Sequence, residues 1–262
     1  MAKKLHLGAQ LYTIRKNLKY KKDFEPVLTE VKKMGFKYVQ VSGVPDRITD
    51  DMIYEVTNKL GLQIGLTHWH DEIIVNQPEV ACDTHDRFNC QGIGIGGMPR
   101  KYRNYQGYDK FLKEYGKAFK TFKKRGKVFC YHNHWFEFER YKNGKTGMEM
   151  LLEKTDPEVF KLTCDIAWLV KAGVNPAAFI EKYHDRIYAT HFKDTTVKDD
   201  EPTLTEMLCG NTDYDSIVKV CKKYGIVWHF LEQDWGYIKD DPMLSLKTSR
   251  NNVVKRYGDI FD

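Results

Sequence analysis

Residues 161–191 read KLTCD IAWLVKAGVN PAAFIEKY HDR IYATH: a short apolar run closing on Asp165, a helical stretch opened by Asn175 and Pro176, and a second apolar run closing on His191. Proline suits the first helical turn, where its missing N–H would have no partner, and an asparagine before it can accept from the free amides. Two strand-like runs separated by a helix pair in parallel, because an antiparallel pair needs only a tight turn between them. The segment is one strand–helix–strand unit, and Asp165 and His191 end their strands at the same edge of the sheet.

The unit recurs along the chain. Strand candidates are Leu5–Leu11, Tyr38–Ser42, Gln63–His68, Gly92–Gly96, Val128–His132, Lys161–Asp165, Ile187–His191 and Val227–Glu232. Helical patterns occupy Phe24–Met34, Asp50–Leu60, Val75–Arg87, Tyr108–Lys124, Gly147–Lys154, Pro176–Tyr183, Tyr214–Tyr224 and Met243–Tyr257. Gly35, Gly61, Gly126 and Gly225 each follow a helical run, where a left-handed residue ends the helix, and Asp213 stands where an N-cap belongs. With no Pro/Ser/Gly-rich linker, eight such units predict one α/β domain over residues 1–262, a closed (β/α)8 TIM barrel rather than an open doubly wound sheet. The glycine-rich piece Gly92–Gly97 lies mid-chain without a Walker lysine, so it reads as a tight strand and its exit loop.

Composition agrees. The 262 residues are 42% hydrophobic and 30% charged, which excludes a disordered, collagen-like or disulfide-scaffold chain. No apolar run approaches the roughly 18–20 residues that span a bilayer, and Met-Ala-Lys-Lys leads directly into the first strand without a signal-peptide core, so the expected location is cytoplasmic. The net charge of +6 is spread along the chain; its densest run, Lys16 to Lys22, reads as a solvated helix face, and no nucleic-acid partner is expected. The six cysteines form no C-x-x-C pair and are expected to be reduced and mostly buried. A homo-oligomer is left open.

In a (β/α)8 barrel the working residues end the strands at the C-terminal face. Here the fifth strand ends in Tyr131-His-Asn-His-Trp-Phe-Glu-Phe138, the sixth in Asp165, the seventh in Thr190-His-Phe-Lys-Asp194 and the eighth in Leu231-Glu-Gln-Asp234. His132, Asp165, His191 and Glu232 follow one another at intervals of 33, 26 and 41 residues, one unit per step. They are the candidate ligands of a divalent metal, Mn, Co, Zn or Mg, since mixed imidazole and carboxylate donors without cysteine suit an open site rather than a closed structural zinc. Lys193 and Asp194 either contact substrate, with Asp194 orienting His191, or close the strand as an ion pair. His68, ending the third strand, either contacts substrate or caps the strand.

These motifs resemble the xylose-isomerase-like TIM-barrel superfamily, in particular its sugar phosphate isomerase/epimerase group. The matching pieces, in order over the whole chain, are Gly8-Ala-Gln-Leu-Tyr12 with Arg15, Tyr131 to Phe138, Asp165 to Trp168 with Ala172 to Pro176, His191 to Asp194, Gly210 with Asp213, and Glu232 to Asp234. The resemblance implies a metal-dependent isomerase or epimerase that enolises a sugar beside its carbonyl, with a small carbohydrate as its partner. A lyase acting on an inosose or 3-keto-glycoside through the same site is the runner-up, and a non-catalytic sugar-binding barrel the third reading. An apurinic-site endonuclease of the same superfamily would need a fuller ligand set than nine histidines supply. Asp165, His191 and Glu232 match the family's ligands, while His132 stands where its ketose epimerases carry glutamate and Trp168 where they carry histidine. Glu232 is therefore the expected general base, with His132, His134 or Glu137 as the catalytic partner across the substrate. His68, His134, Trp168, Lys193 and Tyr12 are the expected substrate contacts.

Overall fold

The computed structural model describes residues 4–262; the opening Met-Ala-Lys, read as leading straight into a strand, lies outside them. Eight parallel strands close a barrel in the order β1-β2-β3-β4-β5-β6-β7-β10 and back to β1. They are β1 (His6–Gln10), β2 (Tyr38–Val41), β3 (Gln63–His68), β4 (Gly92–Ile95), β5 (Val128–His132), β6 (Phe160–Asp165), β7 (Ile187–Phe192) and β10 (Trp228–Leu231). Each lies within a residue or two of its expected place, since a strand buried on both faces reads as an apolar run bounded by turn residues.

The barrel interior is filled by Leu66, Val128, Cys130, Ala189 and Phe230, closed beneath by Tyr188 and Trp228. The larger apolar layer lies between the strands and the helices α1 (Phe24–Lys33), α2 (Asp50–Leu60), α3 (Asp71–Asn76), α4 (Pro78–Arg87), α5 (Gly107–Lys124), α6 (Gly147–Glu153), α7 (Ile166–Lys171), α8 (Pro176–Tyr183), α9 (Tyr214–Tyr224) and α10 (Pro242–Tyr257). Gly61 and Gly225 end α2 and α9 in left-handed backbone, and Asn175 and Asp213 cap α8 and α9 through their side chains, as the punctuation predicts. The six cysteines are free, and all but Cys209 are buried. No helix among the described residues is long and apolar enough to cross a membrane.

Three local features differ from the sequence reading. The pattern at Val75–Arg87 is two helices, because Pro78 has no N–H and forces Gln77 out of helical backbone (φ −133°, ψ 53°). The apolar IAWLV after Asp165 is a six-residue helix, α7, capped by Asp165 itself. Finally, β8 (Asp194–Lys198) and β9 (Glu201–Thr205) form an antiparallel hairpin outside the barrel. Its two-residue turn, Asp199-Asp200, has φ of +52° and +64°, a backbone that aspartate tolerates.

Candidate active site

Each functional side chain is placed by the end of a strand. Asp165 closes β6 and opens α7: its N–H donates to Asn133 Oδ1 (2.9 Å), and its Oδ1 accepts the Trp168 N–H (3.1 Å). That cap fixes the carboxylate and leaves Oδ2 to the barrel axis, where His132 Nε2 lies at 3.1 Å and Lys193 Nζ at 2.9 Å. His132 is held from behind, because its Nδ1 lies 3.0 Å from the Gly96 carbonyl, which can only accept. The proton is therefore on Nδ1, and in neutral imidazole the Nε2 lone pair faces the carboxylate. His191, on β7, repeats the arrangement. Its Nε2 lies 2.7 Å from Gln40 Oε1, and its Nδ1 approaches Glu232 Oε2 to 2.7 Å and Asp165 Oδ2 to 3.6 Å.

His191 Nδ1 and Glu232 Oε2 are buried and near one another, yet neither is aligned for a hydrogen bond. Imidazole and carboxylate donor atoms converging on one buried point are what a cation requires of its ligands. One donor atom from each of His132, Asp165, His191 and Glu232 lies within 4.8 Å of the others, and all four residues are buried. The cluster could hold a metal ion, and its donor set fits a divalent one.

Charge supports the fit. Lys193 Nζ is buried against Asp165 (2.9 Å), Glu232 (2.9 Å) and Asp234 (3.0 Å), so three carboxylates surround one ammonium. Burial alone would lower the His191 pKa, but Glu232 and Asp165 lift it to about 9. Burial would likewise raise Asp165 and Glu232, but Lys193 and the histidines hold both well below the usual carboxylate range. The pocket attracts positive charge.

The remaining expected residues surround this cluster unevenly. His68 stacks on His132 (ring centroids 5.2 Å apart), with Nδ1 2.9 Å from Ser42 Oγ and Nε2 buried without a partner. His134 stacks on Trp168 at 5.6 Å, and burial together with His132 pushes its pKa down to about 3. The Trp168 ring lies 4.9 Å from Lys193 Nζ and walls a cleft of about 470 Å³ that runs to Val197, Leu204 and Trp235. Tyr12 lies beyond the end of β1, beneath the Arg15 guanidinium (3.8 Å).

Glu137 is buried with both oxygens engaged: Tyr131 OH donates to Oε1 (2.7 Å) and the His134 N–H to Oε2 (2.9 Å). Burial outweighs those bonds and raises its pKa to about 7. Lys193 and Asp194 do not pair with each other. Asp194 turns away and accepts from the N–H groups of Thr195, Leu208, Gly210 and Thr212, which fastens the loop after β9.

Gln40 and Asp234 join the site without having been singled out. The signal for Gln40 was present: a polar side chain in the fully buried strand Tyr-Val-Gln-Val needs a polar partner inside the barrel.

In sequence, no family model and no curated protein matches the chain. In structure, a sugar phosphate isomerase/epimerase from Parabacteroides distasonis superposes with a TM-score of 0.79 at 20% identity, covering 98% of this chain and 96% of that one. This is the xylose isomerase-like TIM-barrel fold. The probable 3-DHS dehydratase AsbF of Bacillus anthracis shares it (TM-score 0.71, 15% identity, 93% and 98% covered). So does the IOLI protein, whose structure holds a zinc atom (0.70, 13%, 98% and 100%). At these identities the likeness concerns the fold, and isomerase and dehydratase chemistries both occur on it.

Proposed function

We propose that the protein is a divalent-metal-dependent enzyme that enolises a sugar or sugar derivative beside its carbonyl, with isomerisation or epimerisation as the outcome. The observation that carries this reading is the buried His132–Asp165–His191–Glu232 cluster, whose four donor atoms converge within 4.8 Å of one another. A divalent ion held by those four residues would polarise a carbonyl oxygen and acidify the neighbouring C–H.

The chain's own groups then have distinct tasks. Glu232, kept ionised by Lys193 and His191, takes the proton from carbon. Lys193, whose ammonium burial would discharge but three carboxylates hold protonated, offsets negative charge developing on the substrate oxygens. Gln40 accepts from His191 Nε2–H and so keeps Nδ1 as the ligating atom. Trp168 and His134 form a flat wall that excludes water and presents a face to a sugar ring. His132 has no nitrogen free for proton transfer, since its Nδ1–H bonds the Gly96 carbonyl and its Nε2 faces the cluster, which leaves His134 for proton transfer on the opposite side. Glu137 acts through His134, whose backbone it fixes.

The test combines metal content with deuterium uptake from D2O into ketoses, inososes and 3-keto-glycosides, in wild type and Glu232→Gln. Exchange that requires both metal and Glu232 is expected. Exchange accompanied by loss of a β-substituent would assign lyase chemistry to the same cluster. Failure to retain Mn, Co, Zn or Mg after reconstitution would sink the reading.

A further inference from the structure

Two glutamines on neighbouring strands have half of their amide bonded and half bare. Gln10 ends β1 and Gln40 lies in β2; the two are paired in register, so their side chains leave the sheet on the same face. Gln40 reaches His191 on β7, so that face is the barrel interior. One step beyond the registered pair Ala9–Leu231, Gln10 also stands beside Glu232. Both glutamines are fully buried.

Their amide orientations follow from their partners. Gln10 Oε1 faces the Tyr12 backbone N–H (3.2 Å), which can only donate, so the carbonyl end must be there. Gln40 Oε1 faces His191 Nε2 (2.7 Å); with Nδ1 given to the cluster, Nε2 carries the proton. The Gln40 orientation rests on the proposed metal reading, whereas that of Gln10 does not. In each residue the NH2 end is left over, and Gln10 Nε2 and Gln40 Nε2 are both buried without a hydrogen-bond partner. An orphaned buried amide donor is costly, and two at registered positions of neighbouring strands beside a candidate active site point to a ligand that satisfies them.

We propose that the Gln10 and Gln40 amide groups form a paired seat for an acceptor-only oxygen of the ligand, the carbonyl or carboxylate oxygen of a hydroxy-carbonyl or hydroxy-acid sugar. The seat holds only donors, so it best suits an oxygen that carries no proton of its own, whereas a hydroxyl accepting there would still need an acceptor elsewhere for its hydrogen. It lies on the β1–β2 wall, across the barrel from β6 and the Asp165 carboxylate. The seat therefore selects which end of the sugar enters beside Glu232.

Side-chain amide 15N–1H NMR of the full chain, zinc-loaded and metal-free, tests the seat. The two signals are assigned by their loss in Gln10→Glu and Gln40→Glu. The probes are glycolate for a carboxylate, dihydroxyacetone for a ketone, and glycerol, which lacks both. Glycolate or dihydroxyacetone is expected to move both signals and glycerol neither, and the stronger of the two identifies the group preferred. Gln10→Glu keeps an acceptor for the Tyr12 N–H but puts a buried carboxylate beside Glu232, so its fold is checked by circular dichroism; Gln10→Met, which removes the donor without adding charge, is expected to bind the preferred probe roughly ten- to a hundredfold more weakly. Unmoved signals while a probe binds, an equal response to glycerol, or no binding of either probe would overturn the seat. Amides that respond in protein unable to hold zinc would keep the seat and remove the metal reading; zinc uptake with unresponsive amides would do the reverse.

Discussion

Replacing Glu137 with glutamine measures what the buried carboxyl behind the β5 turn contributes. Its oxygens accept from Tyr131 OH and the His134 N–H, yet the residue is wholly buried and its pKa rises from 4.5 to about 7. The protonated form is thus the one the fold prefers. A carboxyl raised on folding contributes stability that is fully present below its unfolded pKa and is lost as pH rises through the folded one. At about 1.4 kcal/mol per pH unit, the change between pH 4.5 and pH 7 amounts to about 3 kcal/mol. Glutamine cannot ionise, and it can accept from His134 N–H while donating to the Tyr131 oxygen. The stability of wild type minus that of Glu137→Gln, from urea melts at a series of pH values, is therefore expected to fall by about 3 kcal/mol across that window, with most of the fall complete by pH 7. Because both proteins share every other titrating group, the difference isolates this one. A flat difference, or one that rises with pH, would show that the two hydrogen bonds outweigh burial and that Glu137 is an ordinary ionised carboxylate.

Two further substitutions probe the site and the shell. Gln40→Leu removes the acceptor that fixes the His191 tautomer, so calorimetric titration with zinc is expected to show roughly ten- to a hundredfold weaker binding, and unchanged affinity would remove Gln40 from the supporting role. At Gly107 an added methyl would run into the Tyr102 carbonyl oxygen and lie 2.5 Å from its carbon, backbone atoms that cannot swing aside. Gly107→Ala is expected to cost about 1–3 kcal/mol in chemical denaturation despite alanine's better helix propensity, and a gain in stability would refute the close approach.

Most of the candidate cluster was legible because its residues end strands. A polar side chain closing an apolar run is visible in the sequence, and the regular spacing of the βα units carries His132, Asp165, His191 and Glu232 to one mouth. Gln40 was less visible, since a single polar residue inside a strand announces only that a partner exists and not that the partner is His191, 151 residues away. Lys193 and Asp194 were ambiguous for a related reason: at the junction of β7 and β8 successive side chains point to opposite sides, so one enters the carboxylate cluster and the other ties down the loop after β9.

The sequence by itself determined the barrel, its strand ends and the identity of the four converging residues, because burial on both faces, helix caps and turn residues are local and periodic signals. Only the tertiary structure decided which nitrogen of each histidine faces the axis, which oxygen of Asp165 is spent on a cap, and which glutamine donors are left unbonded. Those outcomes depend on hydrogen bonds between strands that meet only when the barrel closes, as Gln40 meets His191 and Gly96 meets His132.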